Sequence, residues 1–129
     1  MTATTLKKIL IVDDEQSILL SLKHLLAIPG VEVIACNEIE HAEAALADSH
    51  FDLVIADIRM SGVDGIEGLE LLSYVKQNFD TEVIIMTGFG SPEIEADAYR
   101  RGAYHYFKKP IEIKDLMQRV SSLGIPVRP

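Results

Sequence analysis

The sequence predicts an α/β fold in which a doubly wound, parallel five-stranded sheet lies between two layers of helices. Five short apolar runs, rich in Ile and Val, are continuous rather than alternating, as is typical of strands buried on both faces. Each run is followed by a stretch with helical period. Because crossovers of this length join parallel strands, the alternation predicts a βα unit repeated five times.

The predicted strands and helices alternate along nearly the whole chain. The strands are the runs 9–12, 31–36, 53–56, 83–86 and 104–107. Pro29 and Gly30 end the first helix, and Asn37 with Glu40 resembles a capping box that opens the second. Four helices have apolar residues at helical spacing: Ile18, Leu22, Leu25 and Leu26; Ala42, Ala45 and Leu46; Leu69, Leu72 and Val75; Ile113, Leu116, Met117 and Val120.

The fourth helix is predicted from its two ends. Ser91 suits the N-cap, Pro92 the first helical position, and Glu93 the first turn, where an acid meets the positive end of the helix dipole. The segment 100–102, Arg-Arg-Gly, places cations in the last turn and a glycine after it. These signals indicate a helix between the fourth and fifth strands.

Composition predicts a single globular domain and excludes several function classes. The chain has 129 residues, 48% of them hydrophobic and 25% charged, and its net charge is −8. This charge argues against direct binding of nucleic acid or of an anionic membrane. The single cysteine permits no internal disulfide, and no apolar run is long enough for a signal peptide or a membrane span. We expect a cytoplasmic protein with one domain over residues 6–122, followed over 123–129 by a disordered tail or the start of a linker.

Four of the five predicted strands end on residues with reactive side chains. Because parallel strands of an open α/β sheet have their carboxyl ends at one edge, these residues are expected to share one crevice. The expected cluster contains three carboxylates, one hydroxyl and one of two adjacent ammonium groups, from Asp13, Asp14, Asp57, Thr87, and Lys108 or Lys109.

Each of these residues also has an ordinary structural interpretation. A lone aspartate at a strand end is commonly a turn former or a helix cap, and a lone lysine is commonly a solvated surface residue. Three crowded carboxylates, however, repel one another unless a cation is present. Because Mg²⁺ takes a few carboxylate oxygens and keeps several waters, a Mg²⁺ site is the economical interpretation of the cluster. Pro110 restricts the preceding residue to an extended conformation and is a candidate for a cis peptide bond.

Over residues 6–122 the chain resembles the receiver domains of two-component response regulators, the CheY-like superfamily. The resemblance rests on the motifs Asp13-Asp14, Asp57-x-x-Met60, Thr87-Gly88, Tyr106 and Lys109-Pro110, which occur at the expected strand ends. It implies a flavodoxin-like (βα)5 three-layer sandwich with strand order 2-1-3-4-5.

The resemblance also implies a role for each site residue. Asp57 would accept a phosphoryl group, and Mg²⁺ or Mn²⁺ would be bound by Asp13, Asp14, Asp57 and the backbone carbonyl of Arg59. Lys109, rather than Lys108, would contact the phosphoryl group, and Thr87 and Tyr106 would form the switch pair. The implied function is signalling rather than enzymatic, limited to phosphorylation of the domain itself and loss of that phosphoryl group.

The partners implied by the resemblance are a histidine kinase or phosphotransfer domain, an output domain in a longer chain, and a second copy of the chain. The copy would dock through the fourth helix, fifth strand and fifth helix. This surface is expected to include Ile94, Tyr99, His105, Lys108 and Met117.

The chain departs from the family pattern after Asp57. Ser61 follows Met60 where the family usually has proline, and the loop 61–68 is about three residues longer than usual, so we expect a more mobile loop. Arg59 and Phe89 each lie two residues beyond a site residue. We expect these bulky side chains to shield the acyl phosphate from water.

Three other functions remain as alternatives. A hydrolase with an aspartyl-phosphate intermediate would have an Asp-x-Asp motif after the first strand, where this chain has Asp13-Asp14-Glu15. A flavin- or nucleotide-binding module would need a glycine- or hydroxyl-rich phosphate loop there, and the acids are electrostatically unsuited to it. A scaffold receiver that works without phosphorylation normally lacks part of the acidic set, which is complete here.

Overall fold

The computed structural model describes residues 6–60 and 65–129. Its five strands are β1 (Lys7–Val12), β2 (Val31–Cys36), β3 (Leu53–Ala56), β4 (Glu82–Thr87) and β5 (His105–Lys108). They form one parallel sheet in the order β2-β1-β3-β4-β5. The predicted fold class and strand order are confirmed, and every predicted strand is present to within one or two residues.

Five helices connect the strands and cover both faces of the sheet. They are α1 (Gln16–Leu26), α2 (Ile39–Asp48), α3 (Glu67–Asn78), α4 (Pro92–Arg100) and α5 (Ile113–Ser122). Alternate residues of each central strand point to opposite faces, because successive side chains in a strand alternate. Leu10, Val54 and Ile85 pack with α2, α3 and α4 in one core cluster, whereas Ile9, Ile55 and Ile84 pack with α1 and α5 in the other. The continuous apolar runs are therefore explained by burial on both faces.

The predicted caps of α4 are confirmed, whereas the predicted cap of α2 is wrong. The Ser91 hydroxyl accepts a hydrogen bond from the backbone N–H of Ile94 at 3.2 Å, and Pro92 opens the helix. In α2 the N-cap is Glu38 rather than Asn37, and its side chain makes no capping hydrogen bond. The backbone at Glu38 is still extended, so the helix begins one residue later than the capping-box pattern requires.

The segment after α5, for which the sequence predicts a disordered tail or the start of a linker, packs against the domain. Ile125 is only 2% exposed and belongs to the core cluster that contains α1 and α5. The Arg128 guanidinium donates to the carbonyl oxygens of His24 at 2.8 Å and Leu25 at 3.1 Å, in the last turn of α1. A cation at this end of a helix stabilises carbonyls that have no partner within the helix.

One expectation, the longer and more mobile loop after Asp57, lies partly outside the described residues. Residues 61–64, which contain much of the predicted loop extension, lie outside the described residues. Within the described ranges, no helix is both long and apolar enough to cross a membrane.

Candidate functional site

The backbone aligns the candidate site residues at the carboxyl edge of the sheet. Just beyond the strands, the N–H of Asp57 donates to the Val12 carbonyl at 3.0 Å, and the N–H of Lys109 donates to the Thr87 carbonyl at 2.9 Å. The N–H of Asp13 likewise donates to the Cys36 carbonyl at 3.1 Å. These hydrogen bonds extend the parallel ladders by one residue, so the side chains at positions 13, 57 and 109 are held in register.

The Lys109 ammonium group lies at the centre of the site. Its Nζ is 2.9 Å from Asp13 Oδ2, 2.9 Å from Asp57 Oδ2 and 3.1 Å from Glu15 Oε1. Lys108 is exposed, so the structure resolves which of the two lysines enters the crevice. Burial lowers the pKa of Lys109, but the hydrogen bonds to the three carboxylates outweigh burial and raise the pKa above its usual value. Lys109 is therefore a fixed positive charge beside Asp57.

The three aspartates lie close enough together to bind one cation. Single carboxylate oxygens of Asp13, Asp14 and Asp57 all lie within 4.8 Å of one another, with Asp13 and Asp57 buried and Asp14 exposed. Burial raises the pKa of Asp13, and this effect exceeds the opposing effects of the Glu15 N–H and of Lys109. Buried hard oxygens next to one exposed carboxylate fit a small divalent cation that keeps part of its water shell.

The backbone around Asp57 fixes the second oxygen of its carboxylate. Oδ1 accepts a hydrogen bond from the N–H of Arg59 at 3.3 Å, while Oδ2 is bound by Lys109. Gly68, in the first turn of α3, donates its N–H to the Ile58 carbonyl at 2.8 Å. A Cβ at position 68 would overlap the Asp57 carbonyl oxygen, so only glycine lets α3 pack this closely against the chain that holds Asp57.

Thr87 is the last residue of β4, and Tyr106 lies within the neighbouring strand β5, where it pairs with Ile85. The Thr87 side chain is buried, and its Oγ1 accepts a hydrogen bond from the Phe89 N–H at 3.0 Å. Tyr106 is only 5% exposed, and its hydroxyl has no hydrogen-bond partner among the described residues. The ring therefore points inward, in the core cluster that contains residues of α2, α3 and α4.

Arg59 and Phe89 form a pair above the carboxyl edge. The guanidinium carbon of Arg59 lies 4.4 Å from the centroid of the Phe89 ring, which is cation–π geometry. The Phe89 side chain is 57% exposed. Because each residue follows a site residue by two positions, the stacked pair spans the loops after β3 and β4.

Sequence reasoning missed two residues that the structure brings to the site. Glu15 contacts Lys109 through its side chain and donates its backbone N–H to Asp13 Oδ1 at 2.9 Å. Its only sequence signal is its position directly after the acidic pair, where the start of a helix is the simpler interpretation. The sequence pattern assigns Gly68 to the longer loop 61–68, whereas the structure places it in the first turn of α3, where close packing against Asp57 requires glycine. The Lys109–Pro110 peptide is cis, as the sequence allowed.

The family model of the response regulator receiver domain matches residues 9–121. The chain belongs to this family. Regulatory protein AtoC of Escherichia coli K12 is 38% identical over 114 residues, which cover 88% of this chain but 24% of that protein. The DNA-binding transcriptional regulator NtrC of Salmonella typhimurium is 36% identical over 111 residues, covering 85% of this chain and 23% of that protein. This receiver thus spans about a quarter of the length of these relatives.

Solved structures of the same family share the fold over nearly their whole length. A CheY-like receiver domain from Methanospirillum hungatei has a TM-score of 0.83 and 33% identity, covering 93% of this chain and 95% of that one. The beryllofluoride-activated NtrC4 receiver domain, solved as a dimer, has a TM-score of 0.82 and 29% identity, covering 92% and 96%. The chain is therefore a signalling domain of two-component systems.

Proposed function

We propose that this receiver domain accepts a phosphoryl group on Asp57 in a reaction that requires Mg²⁺ or Mn²⁺. The observation that carries the proposal is the placement of one ammonium group, Lys109 Nζ, 2.9 Å from both Asp57 Oδ2 and Asp13 Oδ2. A carboxylate held beside a fixed positive charge is a suitable nucleophile for phosphoryl transfer.

The transfer replaces one phosphorus bond by another. An Asp57 carboxylate oxygen forms a bond to phosphorus while the bond between phosphorus and the donor atom breaks. With acetyl phosphate the leaving group is acetate and no proton is needed. With a phosphohistidine donor the imidazole nitrogen leaves with the bonding electron pair and takes up one proton from water. Lys109 stays protonated and neutralises charge on the phosphoryl oxygens, where charge spreads in the transition state.

Asp13, Asp14, Asp57 and the Arg59 carbonyl are the proposed metal ligands. A bound divalent ion would neutralise charge on the phosphoryl oxygens and relieve the repulsion among the carboxylates. The raised pKa of Asp13 supports this assignment, because a buried carboxylate that resists ionisation gains most from a nearby cation. Removing the metal with a chelator is expected to abolish labelling and to leave the fold intact.

Thr87 and Tyr106 are the proposed switch residues. The Thr87 hydroxyl would exchange its hydrogen bond from Phe89 N–H for one to a phosphoryl oxygen, which would draw the loop after β4 towards Asp57. Because the buried Tyr106 hydroxyl packs against that loop, movement of the loop would change the environment of the ring. The switch would then be a two-state equilibrium that phosphorylation biases, with the Tyr106 ring inward in the favoured state.

The proposed partners follow from the family and from relatives that are longer than this chain. A histidine kinase or phosphotransfer domain would supply the phosphoryl group. An output domain would follow in a longer chain. A homodimer would form through the α4–β5–α5 surface, and the dimer of the related NtrC4 receiver domain supports self-association in this family. A cytoplasmic location is part of the same proposal.

Labelling with acetyl phosphate tests the proposed function. Wild type is expected to take up one phosphoryl group per chain in Mg²⁺, and Asp57→Asn is expected to take up none. Asp52→Asn is a matched control, because Asp52 lies at the opposite edge of the sheet, where its carboxylate accepts the Lys8 N–H. Labelling that persists in Asp57→Asn would refute the assignment, and repeated turnover of small phosphoesters would favour a hydrolase.

A further inference from the structure

Lys109 has a third carboxylate partner, Glu15, which is exposed, whereas Asp13 and Asp57 are buried. An ammonium group has three N–H donors, and Asp13, Asp57 and Glu15 each accept one of them. A phosphoryl oxygen that approaches Lys109 must therefore displace one carboxylate. The carboxylate that is held least firmly should be the one that the phosphoryl oxygen displaces from Lys109.

Asp13 and Asp57 are held in place, whereas Glu15 is free to move. Asp13 is fully buried, and its second oxygen accepts the Glu15 N–H at 2.9 Å. Asp57 is buried, and its second oxygen accepts the Arg59 N–H at 3.3 Å. The Glu15 side chain is 55% exposed, and although Glu15 is the N-cap residue of α1, its carboxylate makes no capping hydrogen bond. Lys109 is thus the partner that holds the Glu15 carboxylate over the crevice.

We propose that Glu15 is a positioning residue that occupies the place of the incoming phosphoryl oxygen on Lys109 and swings out when that oxygen arrives. The inference rests on the proposed function of Asp57. In the resting domain Glu15 satisfies the third donor of Lys109, which keeps the ammonium group aimed into the crevice. During transfer the exposed carboxylate returns to water at little cost, because it is already half solvated. Glu15 therefore competes with the phosphodonor and sets the donor concentration at which the domain is phosphorylated.

Replacing Glu15 should lower the phosphodonor concentration that is needed for phosphorylation, without altering the fold. Glu15→Gln removes the charge and weakens the contact with Lys109, and Glu15→Ala removes both. At saturating Mg²⁺ and low ionic strength, we expect the acetyl phosphate concentration for half-maximal rate to fall about 2-fold to 5-fold in each variant, the range that exposed ion pairs support. The maximal rate should change less, because Glu15 has left Lys109 by the time the phosphorus bond forms. In 1 M salt the difference from wild type should largely disappear.

Glu112→Gln is the matched control. Glu112 is the N-cap residue of α5, also makes no capping hydrogen bond through its side chain, and carries the same charge as Glu15. Glu112→Gln should therefore behave as wild type. If it matches Glu15→Gln, or if Glu15→Gln and Glu15→Ala need as much donor as wild type or more, the proposal is wrong.

Beryllofluoride binding separates this inference from the proposed function. Beryllofluoride is an anionic, tetrahedral analogue of a phosphoryl group that can be titrated by ¹⁹F NMR without any transfer step. We expect its affinity to rise about 2-fold to 5-fold in Glu15→Gln and to be unchanged in Glu112→Gln. An unchanged affinity in Glu15→Gln would overturn the role of Glu15 even if Asp57 is phosphorylated normally. A wild-type domain that neither takes up phosphoryl groups nor binds beryllofluoride would refute both proposals.

Discussion

Gly90 is predicted to control whether the Tyr106 ring can lie inward. A Cβ added at position 90 would overlap the Tyr106 hydroxyl and approach its Cζ to 3.1 Å. The backbone of Gly90 is not in the left-handed region, so among the described residues the obstacle to alanine is the Tyr106 side chain. Gly90→Ala should therefore force either the ring outward or the loop away from β5. Overpacking of this kind costs about 1–3 kcal/mol in free energy of unfolding.

Gly88 provides a matched control two residues earlier in the same loop. A Cβ at position 88 would have none of the described residues within 4 Å, and its backbone is also compatible with alanine. Gly88→Ala should be neutral or more stable by about 0.4–1 kcal/mol, because alanine reduces the entropy of the unfolded chain. Since this gain applies at both positions, Gly90→Ala should be less stable than Gly88→Ala by about 1–3 kcal/mol.

The Tyr106→Phe background identifies the hydroxyl as the cause. Phenylalanine removes the overlapping oxygen, and the closest remaining contact is that of the ring carbon at 3.1 Å, which a small shift can relieve. In this background the penalty of Gly90→Ala should fall below about 1 kcal/mol, which gives a coupling energy of about 1–2 kcal/mol. Tyr106→Phe alone should be neutral or stabilising, because the buried hydroxyl has no partner among the described residues.

Urea unfolding followed by far-UV circular dichroism measures all of these free energies. NMR of the Tyr106 ring protons in wild type and Gly90→Ala should show a change in ring environment that Gly88→Ala does not cause. The reasoning would be refuted by equal stability of Gly90→Ala and Gly88→Ala, or by a Gly90→Ala penalty that is as large with phenylalanine at position 106 as with tyrosine.

Three further predictions concern other parts of the molecule. Replacing both Arg59 and Phe89 by alanine should shorten the lifetime of the acyl phosphate, measured by loss of label, because the stacked pair would no longer shield it. Arg128→Ala should lower the free energy of unfolding by about 0.5–1 kcal/mol, measured in urea, because the last carbonyls of α1 lose a cationic partner. Burial and the nearby Arg119 hold the pKa of His105 below its ordinary 6.5, against the opposing effects of Glu95 and Asp115. The native state then binds fewer protons than the unfolded state, so His105 should make stability fall as pH drops through about 6.5, and His105→Gln should reduce that fall.

Each of these predictions can be contradicted by a specific result. For the Arg59 and Phe89 pair, an unchanged lifetime in the double variant would contradict shielding. For Arg128, the exposed Lys114→Ala should leave stability nearly unchanged, and an equal loss in both variants would argue against a specific role of the helix end. For His105, the free energies of wild type and His105→Gln are compared at pH 5 and pH 8, and a constant difference would contradict the depressed pKa.

The strands were the part of the fold that the sequence predicted best. A strand buried on both faces needs apolar residues at every position, so β1, β3 and β4 are evident from local sequence. The caps of α4 were also predictable, because a serine–proline start is a local signal. The start of α2 was not, because Asn37 and Glu40 matched a local pattern that the packed backbone does not use. The burial of Ile125 depends on contacts with distant helices, which no local signal records.

The residue types of the site can be predicted from the sequence, whereas their contacts depend on the packed structure. Three aspartates, a threonine and a lysine at the ends of predicted parallel strands indicate one acidic site, because parallel strands share an edge, and the role of phosphoryl acceptor came from the family resemblance. Spacing along the sequence could not show that Lys109 rather than Lys108 enters the crevice, or that Glu15 contacts Lys109. It also could not show that Arg59 stacks on Phe89, or that the Tyr106 hydroxyl lies beside Gly90. These contacts join residues from different strands and loops, and their geometry follows from strand register and helix packing.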